Sequence, residues 1–177
     1  MKKDLITHFL FTVAFFLLAS LVRRWFSLSF YPFWIGGVVG MILPDVDYLV
    51  YTYLLRPEAS ISQQASTLIE KRSIFKTWDL FASERANHPD LIFHTAYFQA
   101  IFLIFSFLVV TSSGSLFGIG LVMAFALHLL VDQLSDFFER GGIAHWFSKM
   151  NVNLNKKGER WFLAIQTLVI LAYGFVL

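Results

Sequence analysis

The chain has 177 residues, of which 57% are hydrophobic, 18% aromatic and only 15% charged, with a formal net charge of +2 and a mean hydropathy of +0.64. That balance describes an integral membrane protein, large enough for one helical bundle and too small for two domains, without the basic surface that nucleic acid requires. There is no cysteine, so disulfides, thiolate ligands and cysteine nucleophiles are excluded, and any metal site must be built from His, Asp and Glu.

Residues 5–22 form an apolar run of spanning length, with Lys2 and Lys3 before it and Arg23 and Arg24 after it. The run is long for a signal peptide, lacks a small-x-small cleavage site and carries His8, which predicts a retained helix. Residues 30–43 make a second span, with Tyr31 and Trp34 as interfacial aromatics and a Gly36-x-x-x-Gly40 spacing that suits close intramolecular packing. It ends in Leu43-Pro44-Asp45-Val46-Asp47, two carboxylates at the edge of hydrocarbon, where an ionised group needs a proton, a cation or a metal.

The tyrosine-rich residues 48–55 read as a separate interfacial segment, because continuing the helix past Pro44 would bury both carboxylates more deeply. Residues 56–90 are polar. Within them Ile74, Phe75, Trp78 and Phe81 fall at helical spacing, as in an amphipathic helix on a membrane surface. Residues 91–131 contain no Asp, Glu, Lys or Arg, and the polar stretch 111–115 divides them into a transmembrane hairpin. Asp90 is placed to favour the start of its first helix. A second polar segment, residues 135–160, has a turn at Gly141-Gly142, and residues 161–177 make a last span.

The expected fold is therefore an all-α membrane bundle of about five spans in one domain, residues 1–177, with cytoplasmic polar loops at 56–90 and 135–160. Of the fourteen Lys and Arg, only Arg23 and Arg24 lie away from the N-terminus and these two loops. By the positive-inside rule, that side is the cytoplasm. His8, Asp45, Asp47, His88, His94, His128 and Asp132 then all fall at one membrane level on the cytoplasmic side. His128 and Asp132, four apart, share a helix face. Imidazoles and carboxylates without thiolate suit zinc, or manganese or iron. His145 reads as an interfacial residue, and Asp136 and Glu139 as solvated.

The order of these elements resembles the YdjM-like bacterial inner-membrane family of metal-dependent hydrolases, which is LexA-regulated or LexA-binding. Thr7-His8, Leu43-Pro44-Asp45-Val46-Asp47 and His128-Leu-Leu-Val-Asp132 match its motifs. The His88–Thr95 segment departs from the family's third motif, lacking its arginine and setting the histidines six apart. His94-Thr95 takes the place of the family's His-Ser, and Tyr48 stands where a histidine is common.

Together these features lead to an inner-membrane, metal-dependent hydrolase. His8, Asp45, Asp47, His94, His128 and Asp132 are the ligand candidates and His88 an additional one. Asp47 or Asp132 is the proton acceptor for metal-activated water. The substrate class is a lipid or isoprenoid phosphoester at the interface. Two competing readings are a scaffold with a structural metal that binds a cytoplasmic regulatory protein, and a cation or proton transport component.

Overall fold

Residues 2–84, 91–150 and 152–176 are described by a computed structural model, and all regular structure among them is helical. Helix α1, Lys2–Arg23, follows the first apolar run and stops where Arg24 takes a left-handed conformation (φ 56°). A short 3₁₀ turn, Leu28–Phe30, leads into α2, Tyr31–Ile42, with Pro32 in its first turn, where a missing N–H has no partner to lose.

The helical path does not end at Pro44. It tightens into a 3₁₀ turn, Leu43–Asp45, resumes as α3, Val46–Val50, and finishes in a π-helical turn, Tyr51–Leu55. This corrects the expectation of a separate interfacial segment at residues 48–55, because the helical run is continuous over Leu28–Leu55. Asp47 is buried as a result. Hydrogen bonds to its carboxylate offset the burial that argued against continuation.

The polar stretch that follows folds into α4, Ser60–Glu70, and α5, Ile74–Glu84. Helical spacing anticipated α5 but not α4. Phe81 of α5 stacks on Tyr48 with ring centroids 4.9 Å apart, while Ile74 and Phe75 remain exposed near the α4–α5 turn.

Helix α6, Ala96–Ser112, and α7, Leu116–Glu139, form the expected hairpin, with Ser115 capping α7 by accepting from the Gly118 N–H at 3.1 Å. Helix α7 runs on to Glu139, so the polar segment expected from residue 135 begins inside it. Gly141 and Gly142, at φ 80° and 157°, reverse the chain. A 3₁₀ turn, Ala144–Phe147, precedes α8, Lys156–Val176, which starts before the span expected from residue 161.

Helix α7 is the buried axis of the bundle and packs against α1, α2, α6 and α8. Its closest neighbour is α2. A Cβ at Gly36, Gly40 or Gly120 would overlap the backbone carbonyl oxygen of Phe117, Leu121 or Phe33 respectively, so the glycine spacing serves packing within the chain.

Helices α1, α6 and α8 run away from one end of the bundle, and α2 and α7 run toward it. Arg23 Nη2 donates to the Phe175 carbonyl at 3.2 Å, tying the far ends of α1 and α8. The Lys156 ammonium binds the Gly141 carbonyl at the near end.

Among the described residues, three helical runs, Leu5–Arg23, Leu28–Leu55 and Leu116–Glu139, are long and apolar enough to cross a membrane. The exposed faces of α1 and α6 carry Leu10, Ile101, Ile104 and Leu108, as a lipid-facing surface does. Helix α6 is apolar but has only 17 residues, and α8 opens with Lys156, Lys157, Glu159 and Arg160.

Candidate metal centre

Five segments deliver ionisable groups to one end of the bundle. Helix α1 contributes His8 near its start, the Leu43–Asp45 turn Asp45, and α3 Asp47. The segment before α6 adds His94, and α7 adds His128 and Asp132 on one face. All are buried except Asp45, whose side chain is 10% exposed.

Asp132 stands at the centre. Its Oδ1 is 3.0 Å from His8 Nε2, and its Oδ2 is 3.2 Å from His94 Nε2 and 3.3 Å from His128 Nε2. His128 Nε2 is also 3.5 Å from Asp45 Oδ1. The His8 and His128 rings lie side by side, with centroids 4.2 Å apart.

What fixes these rings is on their other sides. His128 Nδ1 is 2.6 Å from the Met41 carbonyl oxygen, which can only accept, so Nδ1 carries the proton. Pro44 has no N–H to give to the carbonyl three residues back, that of Met41, and His128 takes that position. With Nδ1 engaged by Met41, the nitrogen that faces the two carboxylates is Nε2. Nε2 itself makes no hydrogen bond of good geometry with the described residues.

His94 is held differently. Its Nδ1 lies 3.1 Å from Asp47 Oδ2. The same carboxylate accepts the backbone N–H groups of Ile92 at 3.0 Å, Phe93 at 2.6 Å and His94 at 3.2 Å. Asp47 is thus surrounded by donors. It orients His94 so that Nε2 faces Asp132, as the outer carboxylate of a carboxylate–histidine–metal arrangement does.

Lone pairs from imidazoles and carboxylates that converge in a buried space repel unless a proton or cation lies between them. Ligand atoms of His8, His128 and Asp132 all lie within 4.8 Å of one another, and so do those of Asp45, His94 and His128. This buried His/Asp cluster could hold a metal ion through nitrogen and oxygen donors. The two triads share His128, which has one nitrogen to offer, and one imidazole nitrogen binds one ion.

The structure brings together His8, Asp45, His94, His128 and Asp132 as the sequence anticipated. Asp47 adjoins them but belongs to neither triad. His88 and Asp90 lie outside the described residues.

Asp136 requires a correction. Expected in solvent, it is buried, and it accepts from His145 Nε2 at 2.9 Å and Trp146 Nε1 at 2.8 Å, with Arg140 Nη1 3.3 Å away. His145 therefore joins Asp136 rather than the cluster. Glu139 is exposed, as expected.

Sequence reasoning missed the Met41 carbonyl and two rings that flank His94, Tyr48 at 5.2 Å and Trp146 at 5.7 Å between centroids. A signal for Asp136 was present, since it lies four residues beyond Asp132 on the same helix face. No family model, curated protein or solved structure matches the chain.

Proposed function

We propose that the chain is a five-span bacterial inner-membrane protein whose N-terminus is cytoplasmic and whose single metal centre hydrolyses an amphiphilic phosphoester at the cytoplasmic face. The alternating helix directions support the topology. They gather the start of α1 and the described parts of the two polar loops, with their basic residues, at the end where the cluster lies. On this reading the chain is YdjM-like, and His8, Asp45, Asp47, His94, His128 and Asp132 are its motif residues.

The observation that carries the metal is the His128 ring, locked by Met41 with Nε2 toward Asp45 and Asp132. His8, His94 and His128 through Nε2, with Asp132, would hold the ion, which zinc fits by donor type, and Asp45 stays beside it. When bound it supplies charge stabilisation and a water acidic enough to attack at neutral pH.

The remaining tasks fall to the chain's own residues. Asp47 keeps His94 in register and is too fully hydrogen-bonded to serve as a base. Asp132 lies between three imidazoles. Asp45, the least buried carboxylate, takes the proton and passes it to solvent. This moves the base from Asp47 or Asp132 to Asp45.

A structural ion is the second reading, and the burial of Asp132 and His94 favours it. The deciding experiment screens metal-loaded protein against phosphoesters. Turnover that falls by about two to four orders of magnitude in Asp45→Asn, with metal retained, supports the hydrolase. Absence of turnover on every phosphoester moves the assignment to a structural ion.

A further inference from the structure

Between α1, α7 and α8 lies a cavity of about 240 Å³, walled by Phe11 and Leu18 of α1, Leu130 and Val131 of α7, and Ile170 of α8. It exceeds the void of roughly 150 Å³ that accepts a benzene ring in a protein core. Thr167 is the one polar residue in its wall, and its hydroxyl donates to the Leu163 carbonyl at 2.8 Å. The lining thus offers no polar group to a headgroup or an ion, and its chemistry suits hydrocarbon alone.

The groove opens sideways. Phe11 and Leu18 are 47% and 42% exposed on a helix apolar enough to cross a membrane, so the opening faces lipid chains. One end adjoins the metal centre: Phe11 lies one turn beyond His8, Val131 adjoins Asp132, and the His8–Asp132 contact of 3.0 Å joins the same two helices there. From Phe11 to Leu18 the wall rises about 10 Å away from that contact, toward the middle of the span.

We propose that this groove receives the hydrocarbon chain of a lipid substrate whose polar head lies at the His8–Asp132 end. The inference rests on the metal-hydrolase reading and names the substrate's apolar half. Lipid tails contact every outer face of a membrane bundle and gain nothing from burial as such, so selection comes from close packing. A chain in this groove meets side chains on three helices, where one on an open face meets a single helix.

The test uses the full-length protein in nanodiscs and hexadecyl phosphate with a diazirine at mid-chain, photolysed and mapped by mass spectrometry. Label should concentrate on Phe11–Leu18 and Leu130–Leu134. Ala14→Trp, which places bulk in the groove from an exposed lining position, should remove that label. Leu108→Trp, on the exposed face of α6, should leave it unchanged. Label spread evenly over α1 and α6, or groove label insensitive to Ala14→Trp, overturns the proposal. Groove label lost in Ala14→Trp, in a protein that hydrolyses no phosphoester, upholds the groove as a lipid site and removes only the hydrolase.

Discussion

His128 Nδ1 donates to the Met41 carbonyl at 2.6 Å, tying the middle of the buried helix α7 to the last turn of α2 before Pro44. Three features depend on this bond. It fixes the orientation of the His128 ring, it aims Nε2 at Asp45 and Asp132, and it requires α2 and α7 to approach as closely as their glycines allow. Packing and site geometry are therefore one arrangement.

That coupling predicts the effect of filling the glycine contact. Gly36→Ala or Gly120→Ala must push α2 from α7, at a cost of about 1–3 kcal/mol for overpacking. Thermal unfolding in detergent should show the loss. Gly114→Ala, where nothing lies within 4 Å of an added Cβ, should be close to neutral. Equal stability of Gly36→Ala and Gly114→Ala would show that the α2–α7 contact is looser than described.

Asp47 should behave as an orienting group. Asn in its place keeps the size but has one acceptor oxygen for the N–H groups of Ile92, Phe93 and His94 and the His94 ring. Metal affinity measured against a competing chelator should drop about 10- to 100-fold, the usual effect of losing an outer carboxylate. With metal in excess, turnover should recover in Asp47→Asn and stay low in Asp45→Asn. The reverse pattern would return the base to Asp47.

The Asp136 cluster should prove structural. Asp136→Ala leaves the buried Trp146 Nε1–H and the His145 ring without their acceptor, a loss of about 1–3 kcal/mol. Asp136→Asn keeps an acceptor and should lose less. Bound metal should persist in both. Metal loss in Asp136→Ala as complete as in His128→Ala would place Asp136 in the centre.

What was legible in the sequence depended on scale. The apolar runs gave the helices, and their alternation placed His8, Asp45, His94, His128 and Asp132 at one end, because spans that reverse direction return to the same level. Roles within the cluster were less legible. Asp47 looked like a ligand because the three backbone N–H groups that saturate it come from residues 92–94, invisible in a pattern of side chains. Residues 48–55 read as a new segment because an ionised carboxylate buried without partners is costly, and the same N–H donors remove that cost. Asp136 looked solvated because its partners, His145 and Trp146, reach it only after the chain reverses at Gly141-Gly142.

Topology can be read by labelling, since the chain has no native cysteine to confuse the signal. Single cysteines at exposed Gln63 and Ser148 should react from the cytoplasm, and one at exposed Ser112, by the α6–α7 turn, from the opposite side. Reaction of Gln63→Cys and Ser148→Cys from opposite faces would separate the groups that the fold brings together.

The most direct measurement is the metal content of purified protein, supplied with zinc and then freed of excess. The account predicts about one divalent ion per chain, because His128 has a single nitrogen to offer. His128→Ala and Asp132→Ala should lose it, and His145→Ala should retain it. A wild-type chain that holds no divalent ion, or equal retention in all three variants, would contradict the metal centre.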